Sequence, residues 1–262
     1  KHREKLDLLS KVWGYSEENV EFPNICIING NGVCFQEEFL IGCGSYGTEV
    51  YVCLGFDGTE RAIKRIPKIL CNLLKNERDI LTSQNAVNSP RIVNYHFYDN
   101  TSSPDFGYLI LNLYEQNLEE FVENEGEKIT KSRAREMIRQ VLEGLKALHA
   151  GEPRIIHRDL KPTNILVDVN GDLVLSDFGI GRFFPEGATT YHTKTESGSK
   201  GWVAYECIDW EGLYSDETRD PSSAPVQDIL FRWKETSDIQ VAGMLAFYIV
   251  TKGKHPFGAP IH

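Results

Sequence analysis

Asp159 stands two residues before Lys161 and five before Asn164 in the run His157-Arg158-Asp159-Leu160-Lys161-Pro162-Thr163-Asn164. A second carboxylate, Asp177, opens the tripeptide Asp177-Phe178-Gly179, 18 residues beyond Asp159. A carboxylate, an ammonium, an amide and another carboxylate at these intervals suit phosphoryl transfer from a magnesium-bound nucleotide. Asp159 can accept the proton of an attacking hydroxyl, Lys161 can neutralise charge on the moving phosphoryl, and Asn164 and Asp177 can hold the metal. That transition state is mostly a problem of charge placement, so fixed oxygens and one cation are what it requires. A His-Arg-Asp tripeptide alone turns up by chance in solvated loops, but eight matched positions followed by the second motif leave chance little room.

The elements that would position a nucleotide lie upstream. Gly42-Cys43-Gly44-Ser45-Tyr46-Gly47 has a glycine spacing that dinucleotide-binding folds also use. Those folds run the loop from a strand into a helix. Here strand-like residues flank both sides, with Val33-Cys34-Phe35 and Phe39-Leu40-Ile41 before and Val50-Tyr51-Val52-Cys53-Leu54 after. A hairpin turn covering phosphates fits better, because glycines let backbone N–H groups approach the oxygens. Arg61-Ala62-Ile63-Lys64 then supplies a strand lysine for the α- and β-phosphates. Within residues 68–84, Leu70, Leu73, Leu74, Ile80 and Leu81 make one helical stripe, and Glu77 falls in its middle. A carboxylate facing a core is costly unless a cation meets it, so Lys64 is its expected partner, within about 4 Å. The alternative is a glutamate at the edge of the stripe that reaches solvent.

The chain has 262 residues, 41% hydrophobic and 25% charged, which suits a soluble protein with a sizeable core. A net charge of −10 with a pI near 5.3 argues against broad nucleic-acid binding, though not against a local basic patch. The six cysteines (Cys26, Cys34, Cys43, Cys53, Cys71, Cys207) contain no CxxC pair and no zinc-ligand spacing, so free buried thiols are expected. Cys43, inside the glycine loop, is read as packing rather than as an oxidant sensor. The longest apolar run, Val241 to Val250, has ten residues against the ~20 a membrane helix needs, and reads as a buried core helix. The chain opens on Lys1 rather than methionine, so a native start elsewhere is expected.

Along the chain, residues 1–20 form a charged leader with a possible short helix at Leu6, Leu8, Leu9 and Val12. A hairpin is expected over 24–35, turning at Asn29-Gly30-Asn31-Gly32. Strands are expected over 92–97 and 108–113, then a hinge at Leu113-Tyr114-Glu115-Gln116-Asn117 and a helix from Leu118 to Glu123. A longer helix starts near Thr130, with Ala134, Met137, Ile138, Val141, Leu142, Leu145 and Leu148 at helical period, and ends at Gly151 and Pro153. Residues 215–224 alone have a disorder-like composition.

This series of motifs resembles the eukaryotic protein kinases. More narrowly it is similar to the kinase domain of the inositol-requiring kinase/endoribonuclease family, the sensors of the unfolded-protein response, and of the related RNase L. The narrower likeness rests on Ala62-Ile63-Lys64-Arg65-Ile66, on Gly201-Trp202-Val203-Ala204 ahead of Glu206, and above all on Thr251-Lys252-Gly253-Lys254-His255-Pro256-Phe257-Gly258. It covers about residues 33–258. The resemblance implies an α+β, two-lobed kinase fold: a leader and first strand over 1–32, a small antiparallel sheet with one helix over 33–114, and a mainly helical lobe over 115–262, incomplete at its C-terminus. It implies ATP and Mg2+ as cofactors, with Ile41, Gly42, Gly44, Gly47, Glu49, Val50, Ala62, Lys64, Glu77, Leu113 and Tyr114 around the nucleotide. Asp159 and Lys161 would be catalytic, and Asn164 and Asp177 the metal ligands. Implied partners are ATP and a protein substrate or a second copy of the chain, with no direct nucleic-acid contact and no membrane segment in this stretch. The implied location is cytoplasmic, possibly at the cytosolic face of the endoplasmic reticulum through a segment outside this chain.

Arg158 before Asp159 implies control by an activation-segment phosphate, for which Thr189, Thr190, Thr193, Thr195, Ser197 and Ser199 are candidates. Lys161, two residues after Asp159, favours Ser/Thr over Tyr specificity. Three positions depart from the family pattern. Glu49 stands where a valine or isoleucine covers the adenine, and adjacent Val50 should face the other way, so weakened ATP binding is expected unless Glu49 turns outward to a lysine or arginine. Tyr205 replaces a proline, and Gln240 an aromatic residue after Asp238. The 31 residues between Glu206 and Asp238 also exceed the family's usual length, and Glu206 lacks the arginine partner that later helices carry. The reading is an active or formerly active Ser/Thr kinase; the competing one is a nucleotide-binding switch with vestigial phosphotransfer, and a kinase unconnected with stress signalling is a third.

Overall fold

The computed structural model describes residues 1–14, 25–193, 197–208 and 231–258. Helix α1 (Arg3–Gly14) confirms the leader helix, with Leu6 and Leu9 buried and Leu8 exposed. Strands β1 (Ile25–Ile28) and β2 (Asn31–Cys34) form the expected hairpin, turning at Asn29 and Gly30, both at positive φ. Then follow β3 (Leu40–Cys43), β4 (Glu49–Gly55) and β5 (Glu60–Pro67), helices α2 (Cys71–Leu81) and α3 (Gln84–Val87), and strands β6 (Tyr95–Asp99) and β7 (Phe106–Asn112). These seven strands make one sheet in the order β1-β2-β4-β5-β7-β6, with β3 on β4, and every described pairing is antiparallel. The sheet therefore runs across residues 32 and 33 without interruption. Ile92 lies outside β6 and bridges to Leu175 instead.

Beyond the hinge come β8 (Gln116–Asn117), α4 (Leu118–Glu125) and α5 (Lys131–His149). Asn117 and Glu120 close a reciprocal capping box on α4, and the Thr130 hydroxyl accepts the Arg133 N–H at the start of α5. Both caps satisfy backbone donors that the first helical turn leaves without partners. On α5, Ala134, Met137, Val141, Leu145 and Leu148 are buried, Ile138 is half-buried, and Leu142, expected in the core, is exposed. It sits one step round the helix from the buried face. Short strands β9 (Ile155–Ile156), β10 (Ile165–Val167), β11 (Leu173–Leu175), β12 (Arg182–Phe183) and β13 (Tyr191–Thr193) flank the loops that carry Asp159 and Asp177. Strand β14 (Phe231–Trp233) pairs with β13 and leads into α6 (Glu235–Val250).

An antiparallel sheet and a mainly helical half thus form the expected two-lobed α+β arrangement. One core cluster fills the space under α1 on the outer sheet face, and a second runs from α2 through the catalytic segment to α5 and α6. Two expectations are corrected here. Helix α6 is not buried all round, since Ile239, Phe247 and Val250 are exposed on one side while Val241, Leu245 and Ile249 are in the core. Cys26 and Cys43 are exposed, because β1 is an edge strand and Cys43 lies at the open glycine turn; the other four thiols are buried. Thr195 and residues 215–224 lie outside the described residues.

Candidate active site

Strand alternation on β5 and the apolar face of α2 bring opposite charges together in the core. Lys64 Nζ lies 2.7 Å from Glu77 Oε2 and 2.7 Å from Asp177 Oδ1. Glu77 is 1% exposed, so the ion pair read from its place on the stripe answers its burial. Burial pushes the Glu77 carboxyl up, and Lys64 pulls it the other way. Burial likewise works against the charge on Lys64, but Asp177 and Glu77 outweigh it and hold the ammonium above its ordinary value. For Asp177 the Lys64 ammonium overcomes burial and keeps the carboxyl below its ordinary range. The second Glu77 oxygen accepts the Phe178 N–H at 3.4 Å, and Asn76 Nδ2 donates to the carbonyls of Phe178, Gly179 and Gly181, so α2 also grips the segment that carries Asp177.

The loop that carries Asp159 is held from below. His157 N and Arg158 N donate to Asp238 at 2.9 and 3.1 Å, and His149 Nε2 lies 2.9 Å from the same carboxylate. His157 packs on Phe178 with ring centroids 4.7 Å apart, and burial lowers its pKa. Asn164 Nδ2 donates to Asp159 O at 2.8 Å and to Asp159 Oδ2 at 2.9 Å. Lys161 Nζ is 3.1 Å from Asp159 Oδ2. Ser199 Oγ donates to Asp159 Oδ1 at 2.8 Å and accepts from Lys161 Nζ at 2.6 Å. A hydroxyl therefore already sits between the candidate base and the candidate cation.

A cleft of about 560 Å³ lies between sheet and helical half. Ile41, Gly42, Gly44, Val50, Ala62, Lys64, Glu77, Leu113, Tyr114, Lys161, Asn164 and Asp177 all line it, and Asp159 lines a smaller adjoining space. Gly47 does not line it; at φ +72 it lies behind the turn, beside Pro67. Glu49 does not line it either, which corrects the expectation drawn from the family spacing. In the β4–β5 register Val50 stands opposite Lys64 and Glu49 opposite Arg65. Directly opposed residues share a face, so Val50 points to the cleft and Glu49 away from it. An irregularity between Leu40 and Gly42 in the β3–β4 ladder accompanies this one-residue offset. Outside, Arg65 Nε donates to Glu49 Oε2 at 2.9 Å, and its guanidinium lies over Phe35 and Phe106 at 4.5 and 4.4 Å.

Sequence reasoning missed several lining residues, among them Leu111, Leu166, Thr48 and Ser176. Leu111 stands opposite Ala62 on β7, and Leu166 is the half-buried middle of β10, so strand alternation could have found both. Thr48 and Ser176 gave no such signal. Of the candidate phosphoacceptors, Ser199 is engaged with Asp159, and the Ser197 hydroxyl accepts from Arg158 Nη2. Glu206, expected to lack its partner, accepts from Ser237 Oγ at 2.7 Å.

The residues present fit a magnesium ion. Asn164 Oδ1 and Asp177 Oδ2 have no protein donor among the described residues, and hard oxygen ligands are what magnesium takes. No group of three or more His, Cys, Asp or Glu side chains among the described residues could hold a metal by itself, so phosphate oxygens would have to complete the shell.

Comparison with known proteins agrees with this geometry. The protein kinase domain family matches residues 35–223. The serine/threonine-protein kinase/endoribonuclease ire-1 of Caenorhabditis elegans is 30% identical over 259 residues, covering 95% of this chain and 24% of the relative. The human serine/threonine-protein kinase/endoribonuclease IRE2 is 29% identical over 88% of the chain and 23% of the relative. The sensor for unfolded proteins in the ER ire1 of Schizosaccharomyces pombe is 30% identical over 84% of the chain and 21% of the relative. The chain thus spans about a quarter of the length of these relatives.

Proposed function

Because the chain belongs to the protein kinase family, we propose that it transfers the γ-phosphoryl of Mg-ATP to serine or threonine hydroxyls of proteins, its own activation segment included. The observation that carries this reading is the Ser199 hydroxyl between Asp159 and Lys161, which marks what an acceptor hydroxyl would meet. Asp159 takes the proton of that hydroxyl as the oxygen attacks, and Lys161 offsets the charge that develops. Lys64, kept charged by Glu77 and Asp177, holds the α- and β-phosphates. Val50, Ala62, Leu111 and Leu166 supply apolar walls for the base. Asn164 and Asp177 would hold magnesium, which neutralises the phosphate oxygens when bound.

Two substitutions separate these roles. Asp159→Ala should abolish phosphotransfer while leaving nucleotide affinity nearly intact, because the base acts on the hydroxyl. Asp177→Ala should abolish it too, but with a loss of the magnesium-dependent part of ATP affinity. Equal binding defects in both variants would sink the assignment.

Of the two departures that hint at a switch with vestigial phosphotransfer, Glu49 turns away from the nucleotide and Tyr205 remains. We further propose that the parent protein is a stress sensor that couples this kinase to a ribonuclease domain, assembles as a homodimer, and places the kinase on the cytosolic side of the endoplasmic reticulum. The likeness to the kinase/endoribonucleases supports this. No helix among the described residues is long and apolar enough to cross a membrane. A parent gene without a ribonuclease domain after residue 262 would overturn this wider assignment. Arg158 with the Ser197 hydroxyl supports control by phosphorylation, and Ser197→Ala should lower activation on incubation with ATP.

A further inference from the structure

Arg158 is 4% exposed, and no carboxylate among the described residues pairs with its guanidinium. Asp238 is engaged by the backbone N–H groups of His157 and Arg158 and by His149 Nε2. Burial, with Arg182 nearby, lowers the Arg158 pKa to about 10, so the group remains a cation at neutral pH. A buried cation without a counter-charge is costly. The guanidinium donates to the Ile180 carbonyl at 3.1 Å and to the Ser197 hydroxyl, and two aromatic rings supply the rest of its surroundings. The guanidinium carbon lies 5.0 Å from the Trp233 ring centroid and 5.2 Å from that of Tyr191.

These rings come from two segments that strand pairing brings together. Tyr191 stands directly opposite Trp233 in the β13–β14 ladder. Strand β14 belongs to the stretch between Glu206 and Asp238 that is longer than the kinase pattern. Trp233 is 2% exposed, and its indole N–H has no hydrogen-bond partner among the described residues. Leucine would fill the core here without stranding a donor, so burial alone does not account for a tryptophan; a face for a cation does. Trp233 also reaches the activation segment. A Cβ on Gly198, at φ +100, would lie 3.2 Å from the Arg158 carbonyl and 3.6 Å from Trp233 Cη2. Gly198 is thus pinned between the catalytic loop and the indole, with Ser197 on Arg158 to one side and Ser199 on Asp159 to the other.

We propose that Trp233 and Tyr191 hold Arg158 where an activation-segment phosphate would otherwise hold it, so that the phosphate-free chain keeps Asp159 and Ser199 in working register. Both are positioning residues, and their effect on turnover rests on the kinase reading above. Arg158 itself occupies φ +69, a strained value for a non-glycine residue that persists only where surroundings over-determine it. The aromatic box is one of those surroundings.

The test uses phosphatase-treated protein and compares the wild type with Trp233→Leu, Trp233→Phe and Tyr191→Leu. Trp233→Leu should lower kcat roughly tenfold, with KM for ATP changed less than about twofold, as expected for losing one desolvated cation–π contact that seats the base. Trp233→Phe should recover most of the rate. After phosphorylation of the activation segment the Trp233→Leu deficit should shrink to less than about threefold, because the phosphate then pairs with Arg158. A wild-type kcat in phosphate-free Trp233→Leu, or a deficit of equal size before and after phosphorylation, would overturn the proposal. If Trp233→Leu does not fold, Tyr191→Leu decides by the same two criteria. Amide exchange over 197–203 needs no turnover: faster exchange in the phosphate-free variant supports the proposal and unchanged exchange overturns it. A wild type that binds Mg-ATP yet transfers no phosphoryl would overturn the enzymatic reading alone.

Discussion

Lys64 and Arg65 are neighbours on one strand, each paired with a glutamate, yet they serve opposite sides of the sheet. Lys64 faces the cleft, where Glu77 is 1% exposed and Asp177 adds a second carboxylate. Arg65 faces outward to Glu49, whose side chain is 34% exposed, and lies over Phe35, Tyr51 and Phe106. The inner pair has too little water around it to be neutral in energy, and removing either partner strands a buried charge. The outer pair is partly screened, and much of what holds it is ring contact and the arginine stem. Similar chemistry one residue apart thus divides into a buried pair at the cleft and a partly exposed clasp on the outer face.

Breaking the inner pair should have the largest effect. Lys64→Ala is expected to cut phosphotransfer by a hundredfold or more, roughly the scale of losing one preorganised charge partner, as read in single-turnover assays. Retention of more than a tenth of the rate would remove Lys64 from the phosphate site. Glu77→Ala leaves Lys64 with Asp177 alone and should cost about 3 kcal/mol of stability together with activity; denaturant titration alongside kinetics measures both, and a stable, active variant would break the contrast. Arg65→Ala is next, at about 2 kcal/mol of stability from lost ring and stem contacts, with ATP affinity changed less than about twofold. The smallest effect belongs to Glu49→Val, expected to cost less than about 1 kcal/mol because the pair is partly screened. It should leave ATP and adenosine affinity unaltered by calorimetric titration. A tenfold gain in ATP affinity would instead put Glu49 on the cleft face.

How far these residues were legible depended on whether their signal was local. Asp159, Lys161 and Asn164 share one short loop, so their spacing alone implied a common site, and the structure places the three side chains in contact. Glu77 was legible because a charged residue in the middle of an apolar helical stripe demands a partner. Most core positions of α5 followed from helical period, whereas the capping roles of Asn117 and Thr130 came only with the structure. Leu142 and the outer side of α6 were misjudged because an apolar residue at the edge of a stripe can face either way. Glu49 and Val50 were assigned to the wrong faces because counting from the last glycine assumes a regular hairpin, and the β3–β4 ladder is not regular.

By itself the sequence determined which groups are available for chemistry: a carboxylate, an ammonium and an amide within one loop, with Asp177 and Glu77 at intervals a loop and a helix can hold, in an α+β chain with a glycine turn between strands. Only the tertiary structure decided which side of the sheet Glu49 takes, that the Ser199 hydroxyl rests on Asp159, and that Trp233 closes over Arg158. The reason is one of range. Spacing within an element is set by backbone periodicity, whereas register and contacts across tens of residues are set by how whole faces pack, and a shift of one residue exchanges the faces.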